Sequence, residues 1–204
     1  MSKLFIMRHA ESEANQKNLL AGHQDFPLSA KGIADAESLA QLFLQNHAPP
    51  IAYCSPLVRA LQTARPFVIP RPVPLIIDRR LIEQDIGIFA GKSYEDVEGD
   101  PLYEKDRTKR WDWLPPQGES YRMIAVRLTS FFKSLPADGP DCLVITHAVT
   151  MRVMSGLLNN TLPEYPSSIP KNGEIWEVDF HGLENIPSIK SLQFDSFAYM
   201  NSRA

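Results

Sequence analysis

Four short, mainly apolar runs, residues 4–7, Ile51–Cys54, Leu75–Ile77 and Cys142–Thr146, are each followed at once by charged or polar residues. Runs of this length, rich in β-branched and large apolar residues, read as strands buried on both faces. Between them the pattern is helical. Ser29 is a good N-cap for a helix from about residue 30 to about residue 46, with Leu39, Leu42 and Phe43 at helical spacing. Ser55-Pro56 reads as a second helix start, a cap followed by proline at the first helical position. A third helix is expected from about residue 119 to about 135, with Ile124, Leu128, Phe131 and Phe132 facing inward.

Strands alternating with helices predict an α/β fold: a three-layer, doubly wound, mostly parallel sheet with helices on both faces. Residues 173–180 and 188–194 alternate as a late antiparallel pair at a sheet edge. Residues 87–118 are polar, carry tryptophan and end in Pro115-Pro116-Gln117-Gly118. They read as a small cap inserted over one rim of the sheet, so residues 1–204 are expected to form a single domain. The proline-rich 65–74 stretch reads as a helix-to-strand connection.

Composition narrows the function classes. The 204 residues are 44% hydrophobic and 22% charged, with a formal net charge of -3. A nucleic-acid binder normally shows a basic excess, so no nucleic-acid partner is expected. The apolar start is too short for a signal-peptide core and no later stretch approaches a membrane span. Cys54 and Cys142 read as buried, reduced thiols, and no Cys or His cluster has metal-ligand spacing. The expected protein is cytoplasmic, without membrane, metal or cofactor.

The residues at the carboxyl end of each strand carry the chemistry. The first run leads into Arg8-His9-Ala10-Glu11-Ser12, the second into Ser55-Pro56-Leu57-Val58-Arg59, the third into Asp78 through Glu83, and the fourth into His147-Ala148. Ligands of an open parallel sheet bind outside the carboxyl ends of its strands. If these strands are parallel neighbours, two histidines, two arginines and a glutamate meet on one rim. A neutral imidazole attacks phosphorus directly, and arginine forks bind phosphate oxygens in pairs. Two arginines and a second, protonated histidine supply charge stabilisation without magnesium. A carboxylic acid must protonate the departing alkoxide, and Glu83 is the only acid at a strand end flanked by apolar residues, Leu81 and Ile82.

Together these motifs make the chain resemble the histidine phosphatase superfamily, also called the phosphoglycerate mutase-like family, over nearly its whole length. Met7 through Asn15 is similar to the family's Arg-His-Gly signature and its downstream asparagine, and Ala21 through Gly32 continues the match. Ser55 through Ala64 resembles the second arginine motif, Leu81-Ile82-Glu83 through Gly87 and Gly91 the acid segment, and Gly118-Glu119-Ser120 and Thr146-His147-Ala148 the last two. The resemblance implies that His9 is the nucleophile, that Arg8, Arg59 and His147 form the phosphate pocket, and that Glu83 is the general acid. It also places Asn15, Gly22 and Ala148 at the bound phosphate or substrate. Ala10 and Ala148 stand where the family usually has glycine, and a methyl group there would crowd backbone approach to phosphate.

The implied activity is metal-independent hydrolysis of a small phosphorylated metabolite. Mutases of the family have a longer basic insertion and a tyrosine where this chain has Ile86, so a mutase is the alternative. In the cap, Arg107, Lys109 and Arg110 are candidates for a second anionic group. Trp111, Trp113 and Tyr103 are candidates for stacking on a ring. Against these stands the plainer reading of a solvated basic face and a cap core. Three rivals carry less. Gly87 through Ser93 ends in Gly-Lys-Ser but has the wrong glycine spacing for a phosphate-binding loop. A metal hydrolase lacks its ligands, and a non-catalytic phospho-ligand binder gains nothing from a full set of reactive groups.

Overall fold

The structure is a computed structural model that describes residues 2–136, 138–167 and 169–194. In chain order the elements are β1 (Ser2–Arg8), α1 (Glu13–Gln16), α2 (Ala30–Leu44), β2 (Ile51–Cys54), α3 (Val58–Val68), β3 (Leu75–Ile77), α4 (Tyr94–Glu98), α5 (Tyr121–Ser134), β4 (Cys142–Thr146), α6 (Ala148–Leu158), β5 (Ile175–Phe180) and β6 (Ile189–Ser191). The sheet runs β3-β2-β4-β1-β5-β6. The first four strands are parallel, and β5 and β6 complete the sheet antiparallel, as their alternation predicts.

Period-two alternation splits the interior into two cores. Leu4 and Ile6 of β1 and Cys142 and Val144 of β4 point to one face, where α5 and α6 bring Ile124, Leu128, Phe131, Met151 and Met154. Phe5 and Met7 of β1 and Leu143 and Ile145 of β4 point to the other, where α2 and α3 bring Leu39, Phe43, Ala60 and Phe67. Helices therefore cover both faces and the fold is three-layered α/β. Each large apolar side chain withdrawn from water contributes roughly 1.5–3 kcal/mol.

One cap forms where expected: Ser29 Oγ accepts from Gly32 N–H at 3.0 Å. The third helix starts at Tyr121, slightly later than expected, with Ser120 Oγ accepting from Met123 N–H at 3.4 Å. Gly32 itself is obligatory, since a Cβ there would sit 1.9 Å from the Glu11 carbonyl oxygen. The second helix corrects the expectation. It starts at Val58, with Leu57 rather than Ser55 at the cap and no side-chain cap bond. Ser55 is held instead by a long-range partner described below. At its other end α3 runs through Pro66 to Val68, so the 65–74 connection starts late. Pro66 lies in the last turn and removes one ladder bond there, and buried Phe67 anchors that turn.

The 87–118 segment lies between β3 and α5 and holds α4 and two 3₁₀ turns, Gly87–Phe89 and Arg107–Lys109. Phe89, Val97 and Ile86 form its small core, with Leu20, Tyr103 and Trp113 packed against them. Ser93, the last residue of the Gly-Lys-Ser sequence, caps α4. Among the described residues no helix is long and apolar enough to cross a membrane.

Candidate active site

Register brings the two histidines together. β1 and β4 are parallel neighbours, with Arg8 opposite Thr146. The next residues, His9 and His147, therefore leave the sheet side by side, and their ring centroids are 5.1 Å apart. His9 N–H donates to the Thr146 carbonyl at 2.9 Å, extending the ladder by one residue. β2 is the other neighbour of β4 and delivers Ser55, whose Oγ is 2.7 Å from His147 Nε2. The same Oγ also accepts from Leu57 N–H at 3.4 Å, just ahead of α3.

The geometry fixes the tautomer of His9. Its Nδ1 lies 2.7 Å from the Ala10 carbonyl oxygen, which only accepts, so the proton sits on Nδ1. The Nε2 lone pair is left for chemistry. Burial, and then the charges of Arg8 and Arg59, hold the His9 pKa well below its ordinary value. Neutral His9 is the nucleophilic form. Burial, followed by Arg59, His9, Arg127 and Arg8, does the same to His147. In the free protein these causes all oppose the protonated form expected of the second histidine.

Both arginines are anchored by carbonyls and keep donors in reserve. Arg8 Nη1 donates to the Pro170 carbonyl at 2.8 Å. Arg59 is 1% exposed, and its Nη1 and Nη2 donate to the Gln24 and Gly22 carbonyls at 2.9 and 2.8 Å. Among the described residues, the buried side-chain nitrogens and oxygens without a hydrogen-bond partner are Arg8 Nε, Arg59 Nε and His147 Nδ1. An unpaired buried polar group costs about 1–3 kcal/mol. All three belong to residues grouped around His9, which is the donor set that an anion's oxygens would satisfy.

Glu83 reaches the same place from the loop after β3. Its Oε2 accepts from Val149 N–H at 3.2 Å, and its Oε1 from Thr150 N–H at 3.1 Å and from Gln84 N–H at 2.9 Å. Thr150 Oγ1 lies 3.2 Å from Oε1 and donates to the Ile82 carbonyl at 2.8 Å. The carboxylate thus sits on the N-terminus of α6, where His147 is the N-cap residue and offers no side-chain cap.

Asn15, at the end of the first turn of α1, has its Oδ1 taken by Ser12 N–H, Ser12 Oγ and Asn172 Nδ2 at 3.1, 2.9 and 3.0 Å. That orients its Nδ2 as the available donor. A cleft of about 530 Å³ gathers Arg8, His9, Asn15, Gly22, Arg59, Glu83 and Ala148 in its lining, with Tyr94, Tyr103, Arg107, Arg110 and Trp113 from the 87–118 segment. His147 lies beneath this lining and is fully buried. Gly22 acts through its carbonyl on Arg59, and a Cβ there would meet Ile86 Cγ1 at 2.6 Å. The Ala10 methyl packs with Leu28 and Ala36, outside the cleft lining, so it does not crowd the site.

The model of the histidine phosphatase superfamily (branch 1) matches residues 4–189. The chain belongs to this superfamily. One similar protein is the adenosylcobalamin/alpha-ribazole phosphatase of Salmonella typhimurium, 33% identical over 153 residues that cover 71% of this chain and 73% of that protein. Another is the 2,3-bisphosphoglycerate-dependent phosphoglycerate mutase of Beijerinckia indica, 31% identical over 173 residues, 79% of this chain and 83% of that one. The solved mycobacterial glucosyl-3-phosphoglycerate phosphatase shares the fold, with a TM-score of 0.81 at 22% identity over 95% of this chain and 98% of that one.

Not every expected residue of this superfamily member reaches the cleft. Lys109 is exposed and outside the lining, and Trp111 packs on the α5–α6 core. Arg110 is held over the Tyr103 and Trp113 rings at 4.9 and 5.4 Å, so the aromatics serve both as local core and as cleft wall. Sequence reading missed Ser55 as a partner of His147, and it missed Thr63, whose Oγ1 accepts from Ala10 N–H at 3.1 Å. It also missed Thr150 beneath Glu83. Asn172 escaped it too, with Nδ2 bonded to the His9 and Ala10 carbonyls at 3.1 and 3.3 Å. Thr150 alone carried a signal, as a polar residue in the first turn of a mostly apolar helix.

Proposed function

We propose that this chain is a metal-independent phosphomonoester hydrolase that works through a phosphohistidine on His9, with Glu83 as general acid. The reading rests on one observation: the buried nitrogens left without partners, Arg8 Nε, Arg59 Nε and His147 Nδ1, belong to the residues beside the imidazole whose Nε2 is left for attack. In the first step the Nε2 lone pair bonds to phosphorus as the ester P–O bond breaks. Protonated Glu83 gives its proton to the departing alkoxide oxygen. In the second step water attacks the phosphohistidine, Glu83 carboxylate accepts the water's proton, and the P–N bond breaks to release phosphate. Arg8, Arg59 and His147 bind the three non-bridging oxygens in both steps.

The cleft's volume suits a small phosphorylated metabolite. Arg110 and Arg107 on its far wall are the groups that would meet a second anionic group of that substrate. Buried Cys54 and Cys142 are free thiols, which agrees with a reducing, cytoplasmic setting.

The test is p-nitrophenyl phosphate hydrolysis in excess EDTA, with wild type beside His9→Ala, together with acid-labile phosphate trapped on the protein. Turnover and trapping that both vanish in the variant are expected; metal-dependent turnover, or turnover that survives without His9, would sink the mechanism. The 31% identity to a phosphoglycerate mutase supports a second reading, that the phosphohistidine returns its phosphoryl group to a sugar-acid hydroxyl rather than to water. Interconversion of 3- and 2-phosphoglycerate faster than phosphate release would establish it.

A further inference from the structure

The loop that carries Glu83 is tied to one ion pair lying outside the cleft. Arg127, on α5, pairs with Glu119: Nη2 is 2.8 Å from Oε1, and Nε is 3.3 Å from Oε2. The same guanidinium reaches past its partner. Nη1 donates to the Arg80 carbonyl at 2.5 Å, and Nη2 to the Glu83 carbonyl at 3.3 Å. Glu119 binds the next two residues of the loop. Its Oε1 accepts from Asp85 N–H at 3.2 Å, and its carbonyl accepts from Gln84 Nε2 at 2.9 Å. Neither Arg127 nor Glu119 lines the cleft.

These bonds hold the backbone on either side of Glu83, while α6 holds the carboxylate through Val149 and Thr150. The side chain is fixed at both ends, and its torsions between them have little freedom. His23 adds a second donor to the Glu83 carbonyl, Nε2 at 2.8 Å, from the opposite part of the chain. Arg127 is the one member that binds two loop carbonyls and a carboxylate at once. Only a planar guanidinium offers donors in that spread, and lysine's single ammonium does not.

We infer that Arg127 is a positioning residue for proton transfer: through the 80–85 backbone it sets where the Glu83 carboxyl stands relative to the ester oxygen. The inference rests on the assignment of Glu83 as proton donor. A merely structural arginine, once weakened, would slow every substrate alike. One that positions the acid slows substrates in proportion to their need for a proton, and those with good leaving groups escape.

The experiment compares kcat/KM over a series from p-nitrophenyl phosphate through phenyl phosphate to a simple alkyl phosphate. It uses wild type, Glu83→Gln, Arg127→Lys, Glu119→Gln and the Glu83→Gln/Arg127→Lys double variant. Arg127→Lys keeps the positive charge near His147 and loses the fork. It is expected to stay within about 3-fold of wild type on p-nitrophenyl phosphate and to fall about 30-fold or more on the alkyl phosphate, in line with the usual worth of a general acid. In the Glu83→Gln background the same change should cost less than about 3-fold on the alkyl phosphate, because the proton donor is already gone. Glu119→Gln should steepen the leaving-group dependence in the same sense, and it decides the matter if Arg127→Lys does not fold. Equal loss across the series, full alkyl phosphatase activity, or additive losses in the double variant would overturn the inference. If Glu83→Gln itself leaves the leaving-group dependence unchanged, it is the acid assignment that has failed.

Discussion

The carboxyl ends of the central strands and the 87–118 segment line the same cleft and are built in opposite ways. At the strand ends His9 is 4% exposed, Arg59 1% and His147 fully buried, and backbone ladders, carbonyl anchors and Ser55 hold them. The 87–118 segment offers a five-residue helix, two 3₁₀ turns, a half-exposed Tyr94 and exposed Lys105 and Arg107. On the function proposed above, rigid scaffold would surround the phosphoryl group that every substrate shares. Shorter, wetter structure would surround the part of the substrate that differs. Damage at the strand ends should therefore cost all substrates equally, and damage in the segment should discriminate between them.

The largest test of that contrast is His9→Ala, which should lower kcat on every phosphomonoester by at least about 10⁴-fold. Far-UV circular dichroism should show the fold intact. Next is Arg59→Met, expected to cost about 10²- to 10³-fold in kcat/KM on all substrates, with inhibition by vanadate weakened in parallel. A loss confined to some substrates would erase the distinction between the two regions. Arg110→Met should act the other way. It should reduce kcat/KM about 10-fold for a phosphomonoester bearing a carboxylate, worth about 1.4 kcal/mol, and less than about 3-fold for p-nitrophenyl phosphate.

The smallest effect is on stability. His147 has a folded-state pKa depressed by burial, so below its unfolded value the unfolded chain binds the extra proton. Stability then falls as pH drops through the range beneath about 6.5. Between pH 7 and 5.5, urea unfolding should show wild type losing about 1 kcal/mol more than His147→Asn. Equal losses would mean that the imidazole is already charged in the folded protein.

How much of this was legible in the sequence depended on the range of the interaction. The strands could be read because buried parallel strands are short apolar runs cut off sharply by polar residues, and the rim chemistry came from those cuts. Ser29 was legible as a cap because its partner, Gly32, is three residues on. Ser55 has the same local signature and was misread, because its partner is His147, 92 positions later. Arg127 and Asn172 were invisible for a related reason: they bind main-chain carbonyls, and a carbonyl leaves no mark on residue identity. Arg107, Lys109 and Arg110 alternate in fate along one turn, and only geometry separates the two in the cleft from the one in solvent.

The place of β1 in the sheet has a consequence for how the protein is made. Among the strands of this sheet it leaves the ribosome first, yet both its neighbours, β4 and β5, are synthesised more than 130 residues later. Until then Leu4, Phe5, Ile6 and Met7 are an apolar ribbon with neither edge paired, while β2 and β3 can already meet. Pairing of β1 therefore waits until β4 and β5 are made, a long-range pairing of the kind that folds slowly and exposes nascent chains to aggregation. A ribosome stalled before residue 142 would hold a chain with His9 present and no wall to set it against.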